Sequence, residues 1–252
     1  MICPHKITRI LIAIIAISAA TSCAIDKGLG KKQADSGKHL FILSGQSNME
    51  RLHHDKDFTP YIREEFGASN IIVVWDAKSG QPISRWYKNW TPATGELPKI
   101  RGDLYNRLIK KVQSAIEGQK IETVTFIWMQ GERDARNGNG DVYGASLSGL
   151  VQQFEDDMQR KDINVVIGRI SDFDLENKKF PHWTKVRNEQ VRFIESYERG
   201  AWIDTDDLND GLNRRGNPIS NDLHYSKVGY QTLGRRFAET SIELIKKQTF
   251  NN

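Results

Sequence analysis

Five short runs of apolar, β-branched-rich residues recur along the chain, at 39–43, 70–75, 123–129, 164–167 and 201–203. Runs with little polar alternation read as strands buried on both faces of a sheet. Amphipathic segments lie between or after them, at 104–116, 149–158, 186–197 and 227–245. In the last, Tyr230, Leu233, Phe237, Leu244 and Ile245 fall roughly on one face at helical spacing, and Ser226 is placed to cap the start. Strands alternating with helices predict βαβ units, hence an α/β fold with a parallel sheet covered on both sides. No internal repeat interrupts this order. Segment 77–102, punctuated by prolines and glycines, reads as one long loop, and loops of that length are usually functional.

The amino-terminal pattern differs. Lys6 and Arg9 precede an apolar core at 10–20, and small residues follow. That is the layout of a secretory signal, with a core too short to span a bilayer. Residues 1–22 are therefore expected to be removed, 23–38 to form a Lys-, Gly- and Ser-rich tether, and 39–252 to form one domain. Ala20-Thr21-Ser22-Cys23 resembles the lipobox of bacterial lipoproteins, which implies lipidation at Cys23 and a place at the cell envelope, with simple secretion as the alternative. Loss of Lys6 and Arg9 leaves 34 basic against 32 acidic side chains, a formal charge of +2. This near balance argues against nucleic acid as a partner, and membrane contact is expected only through the lipid. Cys3 leaves with the signal, so Cys23 has no partner for an intramolecular disulfide.

Carboxyl ends of parallel strands share one edge of the sheet, where open α/β folds bind their ligands. Past the first strand comes Gly45-Gln46-Ser47-Asn48-Met49; past the third, Trp128-Met129-Gln130-Gly131-Glu132-Arg133-Asp134. Past the fifth, before the last helix, comes Asn221-Asp222-Leu223-His224-Tyr225-Ser226. A hydroxyl, an amide with carboxylates and a histidine thus meet at one rim, as hydrolytic acyl transfer requires. His39, His53, His54 and His182 read as packing or surface residues. Glu132 and Asp134 as a glycosidase pair would leave Ser47 and His224 without a purpose. No residues have metal-ligand spacing, and no cofactor is expected.

Taken together, Gly-Gln-Ser-Asn-Met, Trp-x-Gln-Gly-Glu-x-Asp and His-Tyr-Ser-x-x-Gly resemble the sialate O-acetylesterase-like branch of the SGNH (GDSL-type) hydrolases, with carbohydrate esterase family six a close relative. The likeness covers about residues 39–245. It implies a three-layer α/β/α sandwich with a five-stranded parallel sheet, and a carbohydrate O-acetylesterase acting on an acetylated saccharide. Carried over by position, it makes Ser47 the nucleophile and His224 the general base. It makes the Ser47 and Gly80 N–H groups and the Gln130 amide the oxyanion donors, with Asn48 of the serine motif grouped with them.

One position departs from the pattern. The superfamily has an aspartate three residues before the histidine, where this chain has Asn221. Asp222, or Glu132 from the third strand's end, is then the candidate to orient His224; the remaining alternative is a slow or silent enzyme. Arg85 is a candidate contact to the sugar, and Trp86, Tyr87 and Trp90 a candidate aromatic platform. A silent saccharide-binding lipoprotein and a GDSL-type lipase or thioesterase stand as the rival functions.

Overall fold

A computed structural model describes residues 37–249. The signal segment, Cys23 and nearly all of the tether lie outside the described residues. Five strands, β1 (Lys38–Gly45), β2 (Ile71–Ala77), β3 (Ile121–Met129), β4 (Asn164–Gly168) and β5 (Gly200–Ile203), form one parallel sheet in the order β2-β1-β3-β4-β5. Its architecture is the expected α/β fold with helices on both faces. The chain leaves β1 for β2 on one side and returns across it to β3 on the other. The β1/β3 pair is therefore the topological switch point, and the crevice beyond its carboxyl end is where such sheets bind ligands.

Eight helices among the described residues surround the sheet: α1 (Ser47–Glu50), α2 (His54–Asp57), α3 (Thr59–Phe66), α4 (Asp103–Ile116), α5 (Glu132–Arg136), α6 (Gly140–Met158), α7 (Trp183–Glu195) and α8 (Lys227–Thr249). Alternation along the strands sorts them into layers. Phe41 of β1 meets Phe58 and Phe66 around α3, and α3 packs on α8. Ile42, the next residue, is in register with Phe126 of β3, which packs on Phe154 of α6 on the opposite face. Tyr105 of α4 meets the same Phe154, and α7 packs against α6.

All five strands lie where the apolar runs predicted them, and the four long helices overlap the amphipathic segments. Helix α6 begins nine residues earlier than its pattern suggested, at Gly140 rather than Gly149. Two glycines within this helix are contact points. A Cβ on Gly144 would lie 2.2 Å from Glu189 Oε2, and one on Gly149 2.3 Å from the Tyr87 ring. A short hairpin, β6 (Gly211–Leu212) with β7 (Pro218–Ile219), was not predicted; it carries residues 213–217 ahead of α8.

Gly45 ties the fold to the site. It ends β1 with φ +146°, and a Cβ there would lie 2.0 Å from the Met129 carbonyl oxygen. The same carbonyl accepts the Gln46 N–H at 2.9 Å. Only glycine lets the two central strands stay this close while the chain turns toward Ser47.

Candidate active site

Ser47 is the first residue of α1, at the helix start where backbone N–H groups have no intrahelical acceptor. Its Oγ lies 3.1 Å from Nε2 of His224, which the loop before α8 brings from 177 residues away. Both line a cavity of about 240 Å³, shared with Gln46, Arg51, Ser79, Gly80, Glu132, Arg133, Arg136, Phe180 and Leu223. Burial lowers the His224 pKa from 6.5, the Arg51 charge lowers it further, and Asp222 opposes both. The imidazole is thus neutral at pH 7. For Nε2 to accept the Ser47 hydroxyl, the ring proton sits on Nδ1.

Three residues were candidates to hold that Nδ1 proton. Asp222 Oδ1 is 3.9 Å from Nδ1 and accepts the His224 backbone N–H at 2.8 Å. This is beyond hydrogen-bond length for the ring, yet within reach of a small rotation, and such bonds often tighten only around a substrate. Asn221 does not reach the ring. Its backbone sits at φ +45°, its side chain accepts from Asn209 at 3.1 Å and donates to the Phe173 carbonyl at 3.3 Å, and its N–H donates to Asp210.

Glu132 is 2 % exposed and makes no hydrogen bond or ion pair with His224, although both line the cavity. Oε1 accepts from Asn48 Nδ2 at 2.8 Å, and Oε2 is buried without a partner. Burial raises its pKa from 4.5 to about 7, with nearby Asp134 adding to the rise. A carboxyl that ionises less readily when folded costs stability as pH climbs from its unfolded to its folded pKa, here on the order of 3 kcal/mol by pH 8. Glu132→Gln keeps the oxygen facing Asn48 and removes the charge. It is expected to melt above wild type at pH 8, with the difference vanishing near pH 4.5. An equal difference at both pH values would refute the assignment.

The proposed oxyanion donors separate in space. Gly80, at φ +68°, lines the cavity, and its N–H has no acceptor among the described residues. Gln130 turns inward: its Nε2 donates to Asp134 Oδ2 at 2.6 Å and the Gln81 carbonyl at 3.1 Å, and its Oε1 accepts from Tyr143. It is fully buried and ties the 80s loop to the end of β3. Asn48 is likewise engaged, donating to Glu132 and the Leu223 carbonyl and accepting from Tyr230 at 2.9 Å. It knots the serine turn to the residue before His224, a positioning role.

Arg85 does not reach the cavity. Its guanidinium forms a bidentate pair with Asp103, both bonds at 2.6 Å, and a third bond to Gln81 Oε1. It fastens the 77–102 loop to the start of α4. The aromatic platform is absent too. Trp86 and Trp90 are buried, Trp86 edge-on to Trp128 at 5.2 Å, while Tyr87 lies against Gly149 at a different cavity. These rings close the loop on the core. The remaining histidines have structural contacts: His39 bonds Thr123, His54 stacks on Trp75, His53 meets Arg214, and His182 accepts the Gly140 N–H.

Residues 51–243 match the family described as carbohydrate esterase, sialic acid-specific acetylesterase. The chain belongs to this family. The match begins just after the serine turn and contains the Gln130 and His224 blocks. As a member, the chain is a carboxylic ester hydrolase of the carbohydrate acetylesterase type. A solved protein from Arabidopsis thaliana has the same fold at 18 % identity, TM-score 0.61, covering 82 % of this chain and 98 % of that one. A carbohydrate acetylesterase from Xanthomonas citri matches at 16 % identity and TM-score 0.57, over 81 % of this chain and 56 % of its own. A carbohydrate esterase family 3 protein from Talaromyces cellulolyticus matches at 12 % identity and TM-score 0.52, over 83 % and 99 %. No curated protein matches in sequence.

The esterase's cleft has a charge pattern that the sequence reading missed. A second cavity of about 460 Å³ adjoins the first, sharing Arg51 and His224 and lined also by Arg214 and Arg215 of the β6–β7 hairpin. Arg51, Arg133, Arg136, Arg214 and Arg215 have no carboxylate within ion-pair distance among the described residues. Away from the cleft, Arg85, Arg107, Arg160, Arg169, Arg187, Arg192 and Arg236 are each paired with one, whereas Arg63, Arg101, Arg199 and Arg235 have none among the described residues; the cleft differs in gathering five such arginines in one place. No motif signals this, because the five arginines come from three separate segments: the turn after α1, helix α5 and the β6–β7 hairpin.

Proposed function

We propose that this esterase removes O-acetyl groups from an acidic saccharide through an acetyl-serine intermediate. The observation that carries the reading is the 3.1 Å contact between Ser47 Oγ and His224 Nε2 at the wall of an open cavity. His224 takes the hydroxyl proton as Oγ attacks the acetyl carbonyl, and the tetrahedral oxyanion faces the Ser47 and Gly80 N–H groups. Collapse returns that proton to the departing sugar oxygen. Water, deprotonated by the same imidazole, then releases acetate. The lowered His224 pKa places the acid limb of kcat/KM below pH 6.5, with rate falling as pH drops through it. The basic and apolar amino-terminal segment supports export, with Cys23 as a lipid anchor.

Unpaired arginines on both sides of the dyad support an anionic substrate, and the family's sialic acid specificity agrees with this. The test is acetate release from O-acetylated sialate or uronate glycans beside neutral acetylated xylan, at low and high salt. Acidic esters are expected to be preferred, with the preference shrinking as salt screens the cleft. Arg51→Gln is expected to cut the acidic-to-neutral ratio by about 10- to 100-fold, the scale of a hydrogen bond to a charged group. Equal rates on both classes at low salt would refute the anionic reading. Turnover confined to long-chain acyl esters would favour a lipase.

A further inference from the structure

We infer that the side-chain amide of Gln46 supplies the third oxyanion donor, with Gln130 acting behind it as its positioning residue. The inference rests on the preceding assignment of Ser47 as nucleophile. Gln46 directly precedes Ser47, is 3 % exposed and lines the cavity. Its amide orientation is dictated by chemistry: the Arg133 backbone N–H is only a donor and points at Oε1 over 3.1 Å. Gln130 Nε2 donates to the same oxygen at 3.3 Å. The Gln46 NH2 therefore faces away from these two groups. It has no acceptor among the described residues, yet it is not among their sealed, unpartnered polar atoms.

A donor held in place at the wall of the cavity that the attacking oxygen also lines, with no acceptor of its own, is the kind of group that stabilises developing charge without reorganisation. Gln130 cannot fill this place, since Asp134 Oδ2, the Gln81 carbonyl and Gln46 Oε1 already share its two amide hydrogens, the contact to Gln46 being the longest of the three. Its place in the site is to fix Gln46. The chain Ile83–Asp134–Gln130–Gln46 runs from the 80s loop through the start of α5 and the end of β3 to the serine turn, so the loop that carries Gly80 and the Gln46 amide are registered by one network.

Gln46→Glu is the sharpest test, because it keeps an oxygen for the Arg133 N–H and replaces only the NH2. It is expected to lower kcat for acetate release by about 100- to 1,000-fold with KM little changed. Gln46→Met, similar in shape, should do the same. Affinity for a boronic acid that forms a tetrahedral adduct on Ser47 should fall in parallel, whereas binding of the deacetylated saccharide should not. In wild-type protein, which needs no variant to fold, the Gln46 side-chain amide proton resonance should move downfield on forming that adduct. An unmoved resonance, or a kcat within threefold of wild type in either variant, overturns the inference. A drop in kcat with boronate affinity unchanged overturns it too, marking a structural effect. Loss of activity in Ser47→Ala beside an active Gln46→Glu would sink this inference alone; an active Ser47→Ala would sink the nucleophile assignment beneath it.

Discussion

Ser47→Ala is expected to reduce acetate release by between about 10⁴- and 10⁶-fold, with the thermal midpoint unchanged. The fold should tolerate it, because Oγ has His224 Nε2 as its side-chain partner and the residue is only 6 % exposed at the cavity wall. The rate should not tolerate it, because the attacking atom is gone. A nucleophile and its base act as one unit, so under the proposed mechanism His224→Ala should cost about as much, and the double variant little more than either alone. The residual rate would come from the Gly80 and Gln46 donors acting on attack by water. Initial rates of acetate release for the three variants decide the matter. A Ser47→Ala rate within tenfold of wild type would remove the nucleophile assignment. Additive losses would mean the two residues do not work together.

The sheet and the convergence at its rim were legible because they follow from short-range pattern and topology. Buried parallel strands leave unbroken apolar runs such as 123–129, and parallel strands must end on a common edge. What was not legible is how polar groups partition once they arrive there. Gln130 and Gln46 are 84 residues apart, and nothing in either neighbourhood says which amide Asp134 captures. Arg85 read as a sugar contact because Asp103 lies 18 residues on, across a loop with no periodic signal. Trp86 and Trp90 looked like a platform because polar loops seldom supply core, yet here the loop folds back on β3 and α6. The cationic cleft was hidden for the same reason. Net charge near balance conceals a local excess when partners are unevenly distributed.

The choice among Asp222, Glu132 and Asn221 is the second large effect, and geometry separates them. Asp222→Asn is expected to lower kcat by between about 10³- and 10⁴-fold, the scale seen when a triad aspartate loses its charge. Its carboxylate lies within 4 Å of His224 Nδ1 at 3.9 Å, and its charge raises the imidazole pKa against burial and Arg51. Removing that charge should move the acid limb of the pH profile to still lower pH while depressing the plateau. A neutral imidazole would persist further into acid, but the imidazolium formed during attack would have lost its counter-charge. Asn221→Gly preserves the left-handed backbone at φ +45° and deletes only contacts to Asn209 and Phe173, so its kcat should stay within about threefold. Glu132→Gln should change melting more than turnover, since its carboxyl bonds Asn48 rather than the ring. Should Glu132→Gln instead lose more activity than Asp222→Asn, with its acid limb displaced, the orienting acid is Glu132 and the His224 loop must rearrange around substrate. The Asp222 side chain is 44 % exposed, so its hold on the imidazole should strengthen when a bound sugar excludes water. Asp222→Asn should therefore cost more on a glycan that fills the cleft than on 4-nitrophenyl acetate; equal losses on the two would mean that Asp222 acts without closure of the site.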